Sequence, residues 1–336
     1  MNTSSSSITA SYTQESDFEQ AINGRIAELW HSREEGTLKS FDKTQLFWIS
    51  LTNPKHRKAI VIVNGRIECT WKYQELFYDL YQQGYDVYSY DHRGQGYSDR
   101  LIEDKQMGYV EEFDDYVHDL HRLVNHFELS NYQTCHLLGH SMGGNIATRY
   151  VQTYPDHPFH AMALSAPMFG VNLPWHLKPI APLLGQILTA LYPKPTFAPG
   201  QQAYFPKPFA GNLLSQSTVR YQWFRDLYEQ KPEIKIGGAS TRWVWQGLIA
   251  SKQCHQMTRQ IKIPLLLLQA SEDQIVSNQD QIRFMKKLAR TNIHCAMKII
   301  YGAKHEVLFE QDEYRNEALD TTLWFLDQHS TENRKN

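Results

Sequence analysis

Gly139-His140-Ser141-Met142-Gly143-Gly144 places a serine inside the pattern G-x-S-x-G. The apolar run Cys135-His136-Leu137-Leu138 precedes it and the helix-like run Asn145-Ile146-Ala147-Thr148-Arg149-Tyr150-Val151 follows. A strand-to-helix turn that sharp strains the serine backbone and lifts the hydroxyl above the sheet edge. Glycines are needed there because a Cβ would collide with the opposing backbone. The chemistry is attack by the Ser141 hydroxyl on a carbonyl carbon, with the N-terminus of the following helix favouring the negative charge that develops. The plain alternative is an ordinary Gly-rich turn between a strand and a helix.

A serine hydroxyl is a poor nucleophile without a base within hydrogen-bond reach. After such a turn the partners follow in the order acid, then histidine. Three histidines lie beyond residue 273: His294 in a strand-like run, His329 near the terminus, and His305 after a strand-like run and the loop Gly302-Ala303-Lys304. His305 therefore reaches the same sheet edge as Ser141 and is the expected base. The acid belongs in the loop Ala270-Ser271-Glu272-Asp273-Gln274. Either carboxylate there could serve; Asp273 is favoured, with Glu272 as its solvated neighbour. The acid fixes the imidazole tautomer and stabilises the imidazolium. The oxyanion donors are expected to be the backbone N–H groups of Met142 and of Arg66, in the loop Asn64-Gly65-Arg66-Ile67-Glu68. The stretch from Asp91 to Ser98 reads as structural, with Asp91 and Arg93 tying a tight loop by charge-assisted hydrogen bonds.

These loops need a scaffold, and the hydropathy pattern supplies one. Apolar runs at 59–63, 86–90, 134–138, 160–164, 263–269 and 294–301 read as strands. Helical spacing at 18–33, 71–83, 113–127, 143–154, 278–288 and 310–328 fills most of the gaps, and residues 37–41 and 44–51 read as a hairpin turned at Asp42-Lys43. Repeated strand–helix units give an α/β fold with a mostly parallel central sheet and helices on both faces. Residues 167–255 break the rhythm with Pro, Gly, aromatics and helical patches. They are expected to form an inserted, mainly helical cap over the carboxyl ends of the strands, where such sheets hold ligands. The core is then 17–166 plus 256–329, with 1–16 a disordered lead and 330–336 a polar tail.

Composition narrows the function. The 336 residues carry 41% hydrophobic and 21% charged side chains and a net charge of −2, which suits a globular protein with no general attraction to nucleic acid. The four cysteines form no C-x-x-C pair, so neither a zinc site nor a disulfide framework is indicated. The polar, Ser-rich start lacks a signal-peptide core, and no run is long enough to span a bilayer, so the cytoplasm is the expected location.

Taken together, these motifs resemble the α/β-hydrolase family in its serine-aminopeptidase-like and monoglyceride-lipase-like branch, and within it the bacterial lysophospholipases. The carriers are residues 64–68, 91–96, 139–144, 271–276 and 304–306, and the resemblance spans roughly 20–328. It implies the α/β-hydrolase fold, ester hydrolysis without a cofactor, and the roles given above for Ser141, Asp273 and His305. Two positions depart from the branch: Asn64 stands where His is common, and Ala270 where Gly is common.

The cap carries the remaining information about substrate. No acidic residue lies between Asp156 and Asp226, whereas Lys178, Lys194, Lys207, Arg220 and Arg225 do, beside the apolar run 180–192. Such a surface suits an anionic membrane, with cations toward headgroups and aliphatic residues toward acyl chains; the bland alternative is a cap helix packed on the domain. Arg66, Lys178 and Lys194 are candidates for binding the substrate phosphate, and Arg66 could instead pair with Glu68. The expected substrate is a lysophospholipid or another monoacyl lipid. Monoacylglycerol lipase, broad carboxylesterase, aminopeptidase, acyltransferase and non-catalytic lipid binder are the alternatives.

Overall fold

The computed structural model describes residues 11–172, 180–191 and 194–330. Among these, eight strands form one sheet: β1 Glu34–Lys39, β2 Gln45–Leu51, β3 Lys58–Val63, β4 Tyr85–Tyr90, β5 Thr134–His140, β6 Ala161–Ser165, β7 Leu265–Ala270 and β8 Cys295–Ile300. The order is β1-β2-β4-β3-β5-β6-β7-β8, antiparallel from β1 to β4 through β2 and parallel from β4 onward. The helices are α1 Phe18–Asn23, α2 Arg25–His31, α3 Gln74–Gln82, α4 Asp114–His126, α5 Met142–Thr153, α6 Ala181–Leu191, α7 Thr218–Gln230, α8 Thr241–Gln256, α9 Asn278–Leu288 and α10 Asp312–Gln328.

The continuous apolar runs follow from helices covering both faces. Along β3, Ala59, Val61 and Val63 enter a core with α4, α5, α8 and α9, while Ile60 and Ile62 enter the opposite core with α3 and α10. Period-two alternation therefore buries every side chain of a central strand. From β3 the chain moves outward to β4, then returns to place β5 on the other side of β3. A crevice opens where the order reverses, beyond the carboxyl ends of β3 and β5. Ser141 and the loop holding Arg66 follow those two strands.

Two expectations at the amino terminus are corrected. Residues 11–16 are not a disordered lead: Tyr12 and Thr13 are buried, the Tyr12 hydroxyl donates to Asp320 at 2.8 Å, and the Thr13 N–H donates to Asp79 at 3.0 Å. Their polar look concealed hydrogen bonds to carboxylates distant in sequence. The helix expected over 18–33 is two helices, α1 and α2, because Gly24 leaves the helical region at φ −113°, ψ −106°. Residues 1–10 and 331–336 lie outside the described residues.

The stretch 167–255 is not uniform. Trp243, Ala250 and Cys254 of α8 belong to the core against α5, whereas Phe224, Leu227 and Tyr228 of α7 pack on Cys69 and Ile67 beyond β3. Helix α6 lies on α8 yet buries none of its residues. Arg220 is taken up internally by Glu75 and Asp312, both at 2.8 Å, and by the Glu310 carbonyl, so it is not free for a lipid surface. No helix among the described residues is long and apolar enough to cross a membrane.

Candidate active site

Strand β5 ends at His140, and Ser141 makes the turn into α5 with φ +51° and ψ −116°. Few L-residues hold that conformation without surrounding constraint. Gly143 supplies part of the constraint, since a Cβ there would lie 2.0 Å from the Val63 carbonyl oxygen. The turn is therefore pressed against the end of β3, and it sets the serine beside the loop that carries Arg66.

His305 follows β8 on the loop before α10. Its Nε2 lies 2.9 Å from Ser141 Oγ and its Nδ1 lies 2.7 Å from Asp273 Oδ2. The other Asp273 oxygen accepts the backbone N–H groups of Ile275 at 2.8 Å and Val276 at 3.0 Å. That grip orients the carboxylate, while Glu272 is exposed. With Asp273 accepting from Nδ1, the ring proton sits there and Nε2 is left to accept from the serine hydroxyl. The structure thus brings Ser141, His305 and Asp273 into one line of contacts, all three buried.

Of the two backbone N–H groups singled out as oxyanion donors, that of Arg66 differs from its neighbours. Gly65 N–H donates to Glu68 and Ile67 N–H to Gln95, while Arg66 N–H has no acceptor among the described residues, and neither does Met142 N–H at the first turn of α5. Both stay available for a negative oxygen.

Glu68 does not pair with Arg66, because other donors occupy it. Its carboxylate takes the Gly65 N–H at 2.5 Å, the Tyr73 hydroxyl at 2.6 Å and Lys72 Nζ at 2.6 Å. Lys72, fully enclosed, also holds Glu306 at 2.7 Å, next in sequence to His305. A buried lysine bridging two carboxylates thereby joins the Arg66 loop to the His305 loop. Burial alone would raise the Glu68 carboxyl, but Lys72, His140 and the hydrogen bonds outweigh it and hold it down to about 2. His140, its ring 5.0 Å from that of His305, is pulled down to about 4 chiefly by burial and stays neutral. Nothing in the sequence pattern marked Lys72, and Glu306 entered only as part of the 304–306 motif, since their pairing spans distant loops.

A cavity of about 750 Å³ opens over Ser141 and His305. The Arg66 guanidinium lies in its wall, over the Trp243 ring at 5.1 Å and donating to the Gly237 carbonyl at 3.3 Å. Burial lowers its pKa to about 10, which leaves it charged at neutral pH. Lys194 is exposed and does not line the cavity, and Lys178 lies outside the described residues. The Asp91 loop keeps a structural place with different partners from those expected: Asp91 accepts the N–H groups of Thr70 and Tyr97, while Arg93 turns to Asp119 and Asp42. No group of three or more His, Cys, Asp or Glu side chains among the described residues is arranged for a metal ion.

The sheet order, the sharp turn at Ser141 and the helices inserted after β6 define an α/β-hydrolase. A family model described as serine aminopeptidase, S33, matches residues 54–312, and the chain belongs to that family. It is 38% identical over 275 residues to the probable lysophospholipase L2 of Haemophilus influenzae, covering 82% of this chain and 85% of that one. It is 34% identical over 327 residues to lysophospholipase L2 of Escherichia coli, covering 95% of each. Among solved structures, a soluble variant of monoglyceride lipase from Saccharomyces cerevisiae in complex with a substrate analog aligns with a TM-score of 0.67 at 18% identity. The alignment covers 89% of this chain and 97% of that one, a likeness of fold.

Proposed function

We propose that the chain is a carboxylic ester hydrolase that cleaves the acyl ester of a lysophospholipid, releasing a free fatty acid and a glycerophospho-alcohol. Ser141 Oγ attacks the ester carbonyl as its proton passes to His305 Nε2, and Asp273 stabilises the imidazolium. The N–H groups of Met142 and Arg66 take the oxyanion. The imidazolium then protonates the leaving glycerol oxygen, and an acyl-Ser141 ester remains. Water repeats the sequence with His305 as base, returning the serine and the fatty acid. The single observation carrying this reading is the line Asp273–His305–Ser141 opening onto a cavity beside two unspent N–H groups. The extent of similarity to the two lysophospholipases supports the lipid class.

A monoacylglycerol offers the same ester without the phosphate and is the second reading, favoured by the fold shared with monoglyceride lipase. Within residues 167–255, α6 and α7 serve as the cap while α8 packs on the core, and α6 is the membrane-facing part. Ile180 just before it and Leu183, Leu184, Ile187 and Leu191 on it are between 46% and 68% exposed, and the helix carries no charged residue. Exposed aliphatic surface of that extent beside Lys194 suits the inner face of an anionic membrane, and the four unpaired cysteines fit the reducing cytoplasm. Hydrolysis of lysophosphatidylethanolamine, monoacylglycerol and an aminoacyl amide, compared at equal concentration on wild type and Ser141→Ala, tests the assignment. The lysophospholipid should turn over fastest and only with Ser141 present; preference for the neutral lipid or the amide would reject it.

A further inference from the structure

Arg225 stood in the sequence only as one of five cations in an acid-free stretch, and it lines the same cavity as Ser141 and Arg66. Its guanidinium sits over the rings of Tyr221 at 5.0 Å, Phe224 at 5.1 Å and Tyr228 at 5.5 Å, all on α7. Its Nε is buried without a hydrogen-bond partner. Neither Arg225 nor Arg66 has a carboxylate partner among the described residues, in a molecule where Arg93, Arg149, Arg220 and Arg315 each have one. The carboxylates in the cavity wall, Glu68 and Glu306, are both bonded to Lys72. Tyr228, whose ring lies against the Arg225 guanidinium, donates its hydroxyl to the Ile67 carbonyl at 3.0 Å, so α7 is fixed to the loop that carries Arg66. Two arginines without a carboxylate line one cavity wall, with Lys207 also among its lining residues, and that concentration of positive charge favours a ligand that brings an anion.

We infer that Arg66 and Arg225 form an anion subsite for the headgroup phosphate of the substrate, and that this subsite selects phosphorylated monoacyl lipids over neutral ones. The inference rests on the esterase reading above and adds the groups that set its specificity. Length supports it. From the ester oxygen to the phosphorus of a lysophospholipid, and from the Cα to the guanidinium carbon of arginine, the chains of bonds each span about 6 Å when extended. One residue can thus present its N–H to the ester oxyanion and its guanidinium to the phosphate. Arginine's planar fork matches a phosphate through paired N–H donors, and the aromatic rings behind Arg225 hold it with little loss of freedom on binding.

The test compares kcat/KM for lysophosphatidylethanolamine and for a monoacylglycerol of the same acyl chain, in the same mixed micelles, on wild type, Arg225→Gln and Arg225→Lys. Losing a hydrogen bond to a charged group should lower the phospholipid-to-neutral ratio by about tenfold to hundredfold in Arg225→Gln, with partial recovery in Arg225→Lys. Loss of both activities in proportion would make Arg225 a structural prop, and an unchanged ratio would remove it from the site; either overturns the inference. A second measurement follows protection of Ser141 from a fluorophosphonate. Glycerophosphoethanolamine should protect wild type at lower concentration than inorganic phosphate does, and protect Arg225→Gln poorly. Equal protection by inorganic phosphate would make the site one for free phosphate and contradict the headgroup assignment. A wild type that prefers monoacylglycerol would defeat the lysophospholipase reading itself, whereas a wild type that prefers the phospholipid beside an unaltered Arg225→Gln would defeat the subsite alone.

Discussion

The 2.7 Å contact between His305 Nδ1 and Asp273 Oδ2 fixes which ring nitrogen carries the proton, and substitutions on this line follow from that. Ser141→Ala should lower kcat by about six orders of magnitude where chemistry limits the rate. Asp273→Asn favours the wrong tautomer and should cost about 10⁴-fold in kcat. Glu272→Gln, on an exposed side chain, should stay within about twofold, and steady-state kinetics on the three variants reads the difference. At this scale the sequence was informative where chemistry is tied to a position just beyond a strand: the serine, the histidine and the acid loop all follow such runs, whereas the contact that distinguishes Asp273 from Glu272 is visible only in the structure. It was silent on Lys72 and on its bridge to Glu68 and Glu306, and it did not separate Arg225 from the other cations of its stretch, because these roles depend on neighbours brought together from distant loops. The suggested Arg66–Glu68 pair failed for the same reason, because proximity in sequence does not reveal that Lys72 and Tyr73 have already claimed the carboxylate.

Between the elements, the buried Lys72 links the loop after β3 to the loop after β8. Lys72→Met would leave Glu68 and Glu306 enclosed without their shared cation. A loss of about 3–5 kcal/mol is expected, measured by urea unfolding near neutral pH. The acid behaviour follows with a definite sign. Because the Glu68 carboxyl is lower folded than unfolded, the unfolded chain takes up its proton first. Stability from this group is therefore complete above its ordinary value of 4.5 and declines as pH falls toward about 2. Unfolding free energies measured across that window should fall less steeply in Glu68→Gln than in wild type. The strands and most helices were legible because buried parallel strands are uniformly apolar and surface helices keep a 3.6-residue stripe. The break at Gly24 was not, since the apolar spacing continues through it and only the backbone departs.

Over the whole molecule, chain segments far from the sheet decide how α7 is held. The amino-terminal residues dock on both the body and α7: Phe18 meets Trp223 edge-on at 5.9 Å, and Arg220 collects Glu75, Asp312 and the Thr13 carbonyl. Helix α6, by contrast, leaves its aliphatic side chains in solvent. Leu183→Ser and Leu191→Ser together should weaken sedimentation with anionic vesicles by tenfold or more, given about 0.8 kcal/mol per buried CH₂, while hydrolysis of a short, soluble ester changes little. In sequence, 167–255 shows as one interruption without its internal division, because the burial of α8 against α5 and the exposure of α6 depend on what packs on each helix. The central claim is that one serine carries the acyl group. It is tested most directly by reacting the protein with a fluorophosphonate, mapping the adduct by peptide mass spectrometry and following lysophospholipid hydrolysis in the same samples. The account predicts a single adduct on Ser141 and activity lost in proportion to it; full activity with Ser141 blocked, or loss of activity through an adduct elsewhere, would contradict it.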